Sequence, residues 1–133
     1  PFLLASVVRA FLAQRLVRTL CSHCKAPAEY PQEYLKELGL EVPHGTVLYK
    51  GHGCEHCRQT GYRGRTAIYE ICVLTEPLRR LVVKKGTGSE MKARAVLDGM
   101  GTLRTDGWRR VLRGQTTIEE VLRVTQADDL ADE

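Results

Sequence analysis

Two Cys-x-x-Cys pairs constrain this 133-residue chain more than any other feature. The pairs are Cys21/Cys24 and Cys54/Cys57, and a fifth cysteine, Cys72, stands alone. Each pair is typical of a backbone turn that directs two thiolates towards one ion. An odd number of cysteines is not typical of a secreted protein held together by disulfides, because one cysteine stays unpaired. The spacing therefore predicts one four-sulfur metal site built from both pairs.

Zinc is the metal that the four cysteines favour, because it accepts tetrahedral thiolate ligands without a geometric demand of its own. Three alternatives stay open: an iron–sulfur cluster, a redox-active pair, and two disulfides in an oxidising compartment. The 29 residues between Cys24 and Cys54 exceed the spacing of about 15–20 in a compact zinc ribbon. We therefore expect the metal to hold a small subdomain. A site closed by four sulfurs leaves no place for a catalytic water, so its role is structural.

Three further side chains near this pattern have simpler interpretations. His23 and His56 lie inside the two cysteine pairs, and with four sulfurs available we expect both to face solvent. Cys72 alternates with Ile68 and Glu70 on a predicted strand, which indicates a small buried or half-buried side chain and not a nucleophile.

Hydrophobic periodicity predicts an α+β chain in three parts. Apolar residues spaced three and four apart predict a helix over residues 3–19. A short helix over 32–38 that ends at Gly39, and strands over 46–50 and 66–73, surround the cysteines. Helices are predicted over 76–85, 90–98 and 103–113, and a last helix begins at the Thr117–Glu120 capping box, with Glu119 and Glu120 on a solvated face.

The apolar stripe of the first predicted helix is too broad for a helix packed on one small partner. Burial in a larger globular body, of which this chain is a piece, explains it, and a helix lying in a membrane interface is the alternative. No run of about 18 uncharged apolar residues occurs, so the sequence predicts no membrane span.

The sequence contains no Gly-x-x-x-x-Gly-Lys-Ser/Thr phosphate loop, and no catalytic triad or carboxylate pair stands out. The net charge of +4 is mild, the basic residues are scattered, and aromatic residues make up only 6%. The basic residues are not interleaved with aromatic residues, as they usually are in a nucleic-acid-binding surface. A free-standing zinc-ribbon module that binds nucleic acid stays as an alternative function.

Four segments, residues 12–24, 53–70, 99–108 and 116–125, together resemble the bacterial secretion ATPase family. The resemblance is greater to the type II secretion ATPases than to the pilus assembly or retraction ATPases. It covers nearly the whole chain, and it identifies Cys21, Cys24, Cys54 and Cys57 with the zinc ligands of that family.

The resemblance implies a larger parent protein: a hexameric, Mg²⁺-dependent P-loop ATPase at the cytoplasmic face of the inner membrane, which powers pseudopilus assembly and protein secretion. Its ATP site would precede residue 1, so we expect no catalytic or nucleotide-binding residue and no ATPase activity in this chain. The implied partners are other subunits of the hexamer and inner-membrane platform proteins, without nucleic acid or direct membrane insertion.

The resemblance also implies three regions. Residues 1–20 would be the last helix of a RecA-like ATPase core. Residues 21–74 would form the tetracysteine zinc module, with short antiparallel strands. Residues 75–133 would form a C-terminal helical cluster.

Overall fold

The structure, a computed structural model, describes the backbone of residues 1–130 and the side chains of residues 1–125. The α+β class predicted from the sequence is confirmed, and the last three residues of the predicted helical cluster lie outside the described part. The elements, in chain order, are α1 (Phe2–Val7), β1 (Ala10–Leu20), β2 (Lys25–Ala28), α2 (Gln32–Glu37), β3 (Leu48–Gly51), β4 (Tyr62–Val73), α3 (Glu76–Val83), α4 (Gly88–Leu97), α5 (Leu103–Leu112) and α6 (Ile118–Leu130).

A long antiparallel ribbon of two strands, β1 and β4, is the largest element of β-structure. The pairing runs from Ala10 opposite Val73 to Leu20 opposite Tyr62, with a register shift between Arg18 and Leu20. The predicted strand over 66–73 is therefore present but begins four residues earlier.

The two faces of this ribbon have different surroundings, because successive side chains of a strand point to opposite faces. On one face Val17 and Ile68 are fully buried and pack with Leu103 of α5. The other face, which we call the open face, carries apolar side chains that remain exposed to solvent. These side chains are Leu12, Leu16, Tyr69, Ile71 and Val73.

The helix predicted over residues 3–19 and assigned to a RecA-like core is wrong for most of its length. Only Phe2–Val7 is helical, and Ala10–Leu20 forms β1. Apolar residues four apart, such as Leu12 and Leu16, lie on one side of a helix and also on one side of a strand. Hydrogen bonding to β4 decides between the two, and the periodicity alone contains no information about that partner.

The segment between the two cysteine pairs forms its own small sheet and helix. β2 pairs antiparallel with β3, from Lys25 opposite Gly51 to Ala28 opposite Leu48. The predicted helix over 32–38 is confirmed as α2, and the chain turns after it at Gly39, whose φ of +70° favours glycine. This segment joins α5 and α6 in the main hydrophobic core, whose buried members are Leu35, Leu40, Leu48, Trp108, Val111, Ile118 and Val121.

The predicted C-terminal helices are also present, and they pack as two pairs. α3 packs against α4 and against α1, while α5 packs against α6 and both strands of the ribbon. Threonine side chains cap α3, α4 and α5: Thr75, Thr87 and Thr102 each accept a hydrogen bond from a backbone N–H in the first turn.

Candidate metal centre

The four cysteines of the two pairs come together because four strand ends meet. Cys21 directly follows β1 and Cys24 directly precedes β2. Cys54 follows β3, and Cys57 ends a short 3₁₀ turn (Glu55–Cys57) that precedes β4. Since β2 pairs with β3 and β1 pairs with β4, the two cysteine turns lie side by side. We call them the first knuckle (residues 21–24) and the second knuckle (residues 54–57).

The sulfur positions match those of a tetrahedral thiolate site. Cys21 Sγ lies 3.7 Å from Cys54 Sγ, and Cys24 Sγ lies 3.8 Å from Cys57 Sγ. Within the second knuckle, Cys54 Sγ and Cys57 Sγ are 3.7 Å apart, and all four sulfurs lie within 4.8 Å of one another. Four sulfurs at about 2.3 Å from a central zinc would be roughly 3.8 Å apart. The donor set and its spacing therefore fit one zinc ion.

These distances do not fit disulfides. A disulfide joins two sulfurs at about 2.05 Å, and each of the five cysteines is a free thiol in the structure. The closest sulfurs instead lie at van der Waals separation, and an ion would fit at the centre of the four.

Backbone N–H groups prepare Cys57 to bind as a thiolate. Those of Cys54 and Gly61 each donate a hydrogen bond to Cys57 Sγ, at 3.2 Å. Burial raises the pKa of the Cys57 thiol, but these two donors, together with hydrogen bonds from the Cys54 and Cys24 thiols, outweigh it and lower that pKa to about 6. The chain reverses directly after the knuckle, where Arg58 and Gln59 adopt φ values of +56° and +65°.

Cys24 has the opposite tendency. Burial and the neighbouring thiols raise its pKa to about 11, although hydrogen bonding to the Gly53 backbone acts against them. The Cys57 thiolate therefore forms readily at neutral pH, while ionisation of Cys24 is opposed by burial and by the neighbouring thiols. A divalent cation removes that opposition, since it compensates the charge of the thiolates that surround it.

Two glycines let the backbones beside the cysteines approach each other closely. A Cβ atom built on Gly51 would lie 2.2 Å from the carbonyl oxygen of Gly61, and one built on Gly61 would lie 2.6 Å from that of Gly51. Gly61 also accepts a hydrogen bond from the Cys21 N–H at 3.0 Å, and the N–H of His52 donates to the Cys24 carbonyl. Larger residues at these glycines would push the knuckles apart.

The histidines of the knuckles are exposed, as the sequence predicts. His23 and His56 lie against each other, with ring centroids 3.7 Å apart and ring planes within 14° of parallel. Sequence reasoning did not predict this contact, although the histidine occupies the same position in both knuckles.

Cys72 is not part of this cluster. It is half-buried on β4, as predicted, and packs beside the small core of Leu74, Leu78 and Ala95. Burial and the nearby carboxylates of Glu70 and Asp98 raise the pKa of its thiol. Cys72 therefore has little thiolate character at neutral pH.

Glu120 is buried, whereas the sequence predicted it on a solvated face. Glu119 is exposed, as expected, and accepts a hydrogen bond from Tyr30 Oη. Glu120, predicted on a solvated face, is only 1% exposed, because β1 crosses α6 at this residue. Its carboxylate bonds with both Arg18 and Arg123. The only sequence signal at Glu120 was the predicted Thr117–Glu120 capping box. One of its hydrogen bonds is present in the structure, since the Glu120 N–H donates to Thr117 Oγ1.

No helix in the described part of the chain is both long enough and apolar enough to cross a membrane.

Comparison with known proteins places the chain in a family. The family described as Type II/IV secretion system protein matches residues 1–123. That range includes the ribbon, both knuckles, and helices α1 to α5, so the match covers the metal centre and its surroundings. The chain belongs to the type II/IV secretion system protein family.

Individual relatives agree with this assignment. The chain is 44% identical over 128 residues to the type II secretion system protein E of Aeromonas hydrophila, covering 96% of this chain and 25% of that protein. It is also 44% identical over 127 residues to the type IV pilus assembly ATPase PilB of Thermus thermophilus, covering 94% of this chain and 14% of that protein. The type II secretion system ATPase E of Vibrio cholerae is 38% identical over 126 residues, covering 95% of this chain and 25% of that protein.

The chain thus spans about a quarter or less of the curated relatives that it matches. Because a secretion protein and a pilus assembly ATPase share the same identity with it, the predicted preference for type II secretion over pilus assembly stays a prediction.

Proposed function

We propose that this chain is the zinc-binding domain of an ATPase that powers type II protein secretion, and that Cys21, Cys24, Cys54 and Cys57 hold one structural zinc ion. The observation that carries the proposal is the cluster of four sulfurs at tetrahedral spacing in a member of this family. A site closed by four protein ligands supplies no catalytic water. The metal holds the two knuckles together, and the domain itself performs no chemistry.

The catalytic work of the proposed parent protein lies in the part that this chain does not span. Its relatives include proteins named as ATPases and are several times longer. ATP and Mg²⁺ bind to that part in a hexamer, which sits at the cytoplasmic face of the inner membrane through platform proteins. Because this chain lacks a phosphate loop, it hydrolyses no ATP alone.

Residues 1–20 belong to the ATPase core in this proposal, 21–74 to the zinc module and 75–133 to the region that contacts neighbouring subunits and platform proteins. The open face supports a contact between this chain and that core, because exposed apolar surface of this kind marks an interaction site. β1 and β4 share this face, so residues 69–73 of the zinc module would take part in the contact as well. Leu12 and Ile71 lie opposite each other there, 61% and 51% exposed.

Metal analysis tests the zinc site directly. The purified chain is expected to contain one zinc per molecule, and Cys24→Ser and Cys54→Ser are each expected to lose it, because a three-sulfur site binds zinc far more weakly. Cys72→Ser is the matched control and is expected to keep the full zinc content. The measurement is elemental analysis together with titration of reactive thiols.

Iron in place of zinc, or oxidised cysteine pairs without metal, would contradict the proposed site. Measurable ATP turnover by the chain alone would contradict the placement of catalysis outside it. Salt-sensitive retention on DNA or RNA would support the nucleic-acid module instead.

A further inference from the structure

The two knuckles are related by more than their cysteines. In both, a histidine directly precedes the second cysteine, as Ser22-His23-Cys24 and as Glu55-His56-Cys57. Cys21 pairs with Cys54, Cys24 pairs with Cys57, and His23 stacks on His56. The knuckles therefore meet at matching sequence positions, and the imidazole stack is a contact between them that involves no sulfur.

We propose that His23 and His56 are positioning residues, whose stacked rings hold the two knuckles at the separation that zinc requires. This inference rests on the proposed zinc site. At 3.7 Å between centroids and 14° between planes, the rings are in van der Waals contact over their faces. A contact of this kind persists without the metal, so it reduces the reorganisation that the thiols undergo on binding.

The same geometry argues against the histidines as ligands. In the described part of the chain, the ligand atoms close enough to share one ion are the four cysteine sulfurs, and neither imidazole is among them. The four sulfurs already provide a complete tetrahedral set. Both rings are also exposed, whereas Cys21 and Cys57 are buried.

Zinc affinity, measured by competition with a chromophoric chelator, tests the stack. His23→Ala and His56→Ala are each expected to weaken zinc binding about three- to tenfold, the range that one aromatic contact provides. The double alanine variant is expected to be little weaker than either single variant, because both remove the same contact. Replacing both residues with phenylalanine preserves the stack and removes the nitrogens, so binding is expected within about twofold of wild type.

The control pair is Ser22→Ala with Glu55→Gln, which changes the neighbouring exposed positions and is expected to leave zinc affinity nearly unchanged. Co²⁺ provides the second readout: all variants are expected to keep the absorption spectrum of a four-thiolate site. Circular dichroism at saturating zinc shows whether each variant is folded.

Alanine variants that bind zinc as tightly as wild type would overturn the inference while leaving the zinc site intact. A phenylalanine pair that fails to restore affinity, or a Co²⁺ spectrum that changes on histidine substitution, would also overturn it. A wild-type chain that binds no zinc would instead overturn the proposed function.

Discussion

Glu120 joins β1 to α6 through a single buried carboxylate. The backbone N–H of Arg18 donates to it at 2.7 Å, and the Arg18 guanidinium donates at 3.0 Å. The Arg123 guanidinium donates to the other oxygen at 2.6 Å. Close by, the hydroxyl of Thr116 donates to the Arg18 carbonyl. These bonds fix the end of β1, and therefore the first knuckle, to the start of α6.

Replacing the Glu120 carboxylate is expected to destabilise the folded chain. Glu120→Gln is expected to lower the free energy of unfolding by about 2 kcal/mol, because charge-assisted hydrogen bonds are lost at a buried position. The adjacent Glu119→Gln is the matched control: Glu119 is exposed and pairs with Lys50, so its loss is expected to cost less than about 1 kcal/mol. Denaturant unfolding of the zinc-loaded proteins measures both.

The contribution of Glu120 also depends on pH. Burial raises the pKa of its carboxyl group, but hydrogen bonds from Arg123 and Arg18 outweigh burial and lower that pKa from 4.5 to about 2. Because the folded-state pKa is the lower one, the stabilisation is present above about pH 4.5 and is lost as the pH falls towards 2. The difference in stability between wild type and Glu120→Gln should shrink over that window, and a constant difference would contradict this account.

At the scale of single residues, the features that could be predicted are those that depend only on the spacing of residues along the sequence. Two Cys-x-x-Cys pairs can meet on one ion whatever fold surrounds them, so the four cysteines were identifiable in advance. The burial of Glu120 depends on the crossing of β1 over α6, which joins positions about a hundred residues apart. Local pattern indicated only an ordinary helix N-terminus there.

At the scale of elements, the ribbon of β1 and β4 is the feature that the sequence predicted least well. β4 was identifiable from its β-branched and aromatic residues. β1 was not, because its apolar residues at four-residue spacing fit both a helix and a strand. The C-terminal helices were predictable to within a few residues, since each begins at a side-chain cap and a glycine follows α3, α4 and α5, at Gly86, Gly99 and Gly114.

The open face of the ribbon is expected to drive self-association of the isolated chain, because its apolar side chains have no partner in the described structure. Leu12→Glu places a charge at the middle of that face and is expected to weaken self-association at least about tenfold. Leu97→Glu is the matched control, since Leu97 is 78% exposed and lies on α4, outside the open face. Sedimentation velocity over a concentration series measures the effect.

Equal self-association of wild type and Leu12→Glu would mean that the open face is not the contact. Loss of self-association in Leu97→Glu alone would assign it to α4.

At the scale of the whole molecule, the main hydrophobic core and the proposed metal centre lie at two ends of the segment between the cysteine pairs. The knuckles hold its termini, while Leu35 and Leu48 pack with Trp108 in the core shared with α5 and α6. Removing the metal therefore releases one end and leaves the other packed.

Chelation of zinc is expected to reduce amide protection more in residues 20–74 than in helices α3 to α6, because the knuckles lose the ion that the four thiolates would share. Within the helices, the first turn of α6 is expected to respond most, since Leu20 donates to the Gln115 carbonyl at 2.9 Å and Glu120 bonds to Arg18. Hydrogen exchange with and without chelator measures this. Equal loss of protection throughout the chain would contradict it.

The pairing of Leu20 with Tyr62 has a consequence for how such a chain can change over time. The last residue of β1 and the first of β4 are neighbours across the ribbon, so everything from residue 21 to residue 61 begins and ends at one place. Antiparallel neighbours need only a two-residue turn to connect them. The segment that carries the proposed metal site is thus an insertion in a hairpin, and a descendant could lose or exchange it while the two long strands keep their register, provided that other side chains cover Trp108 and its neighbours in the core.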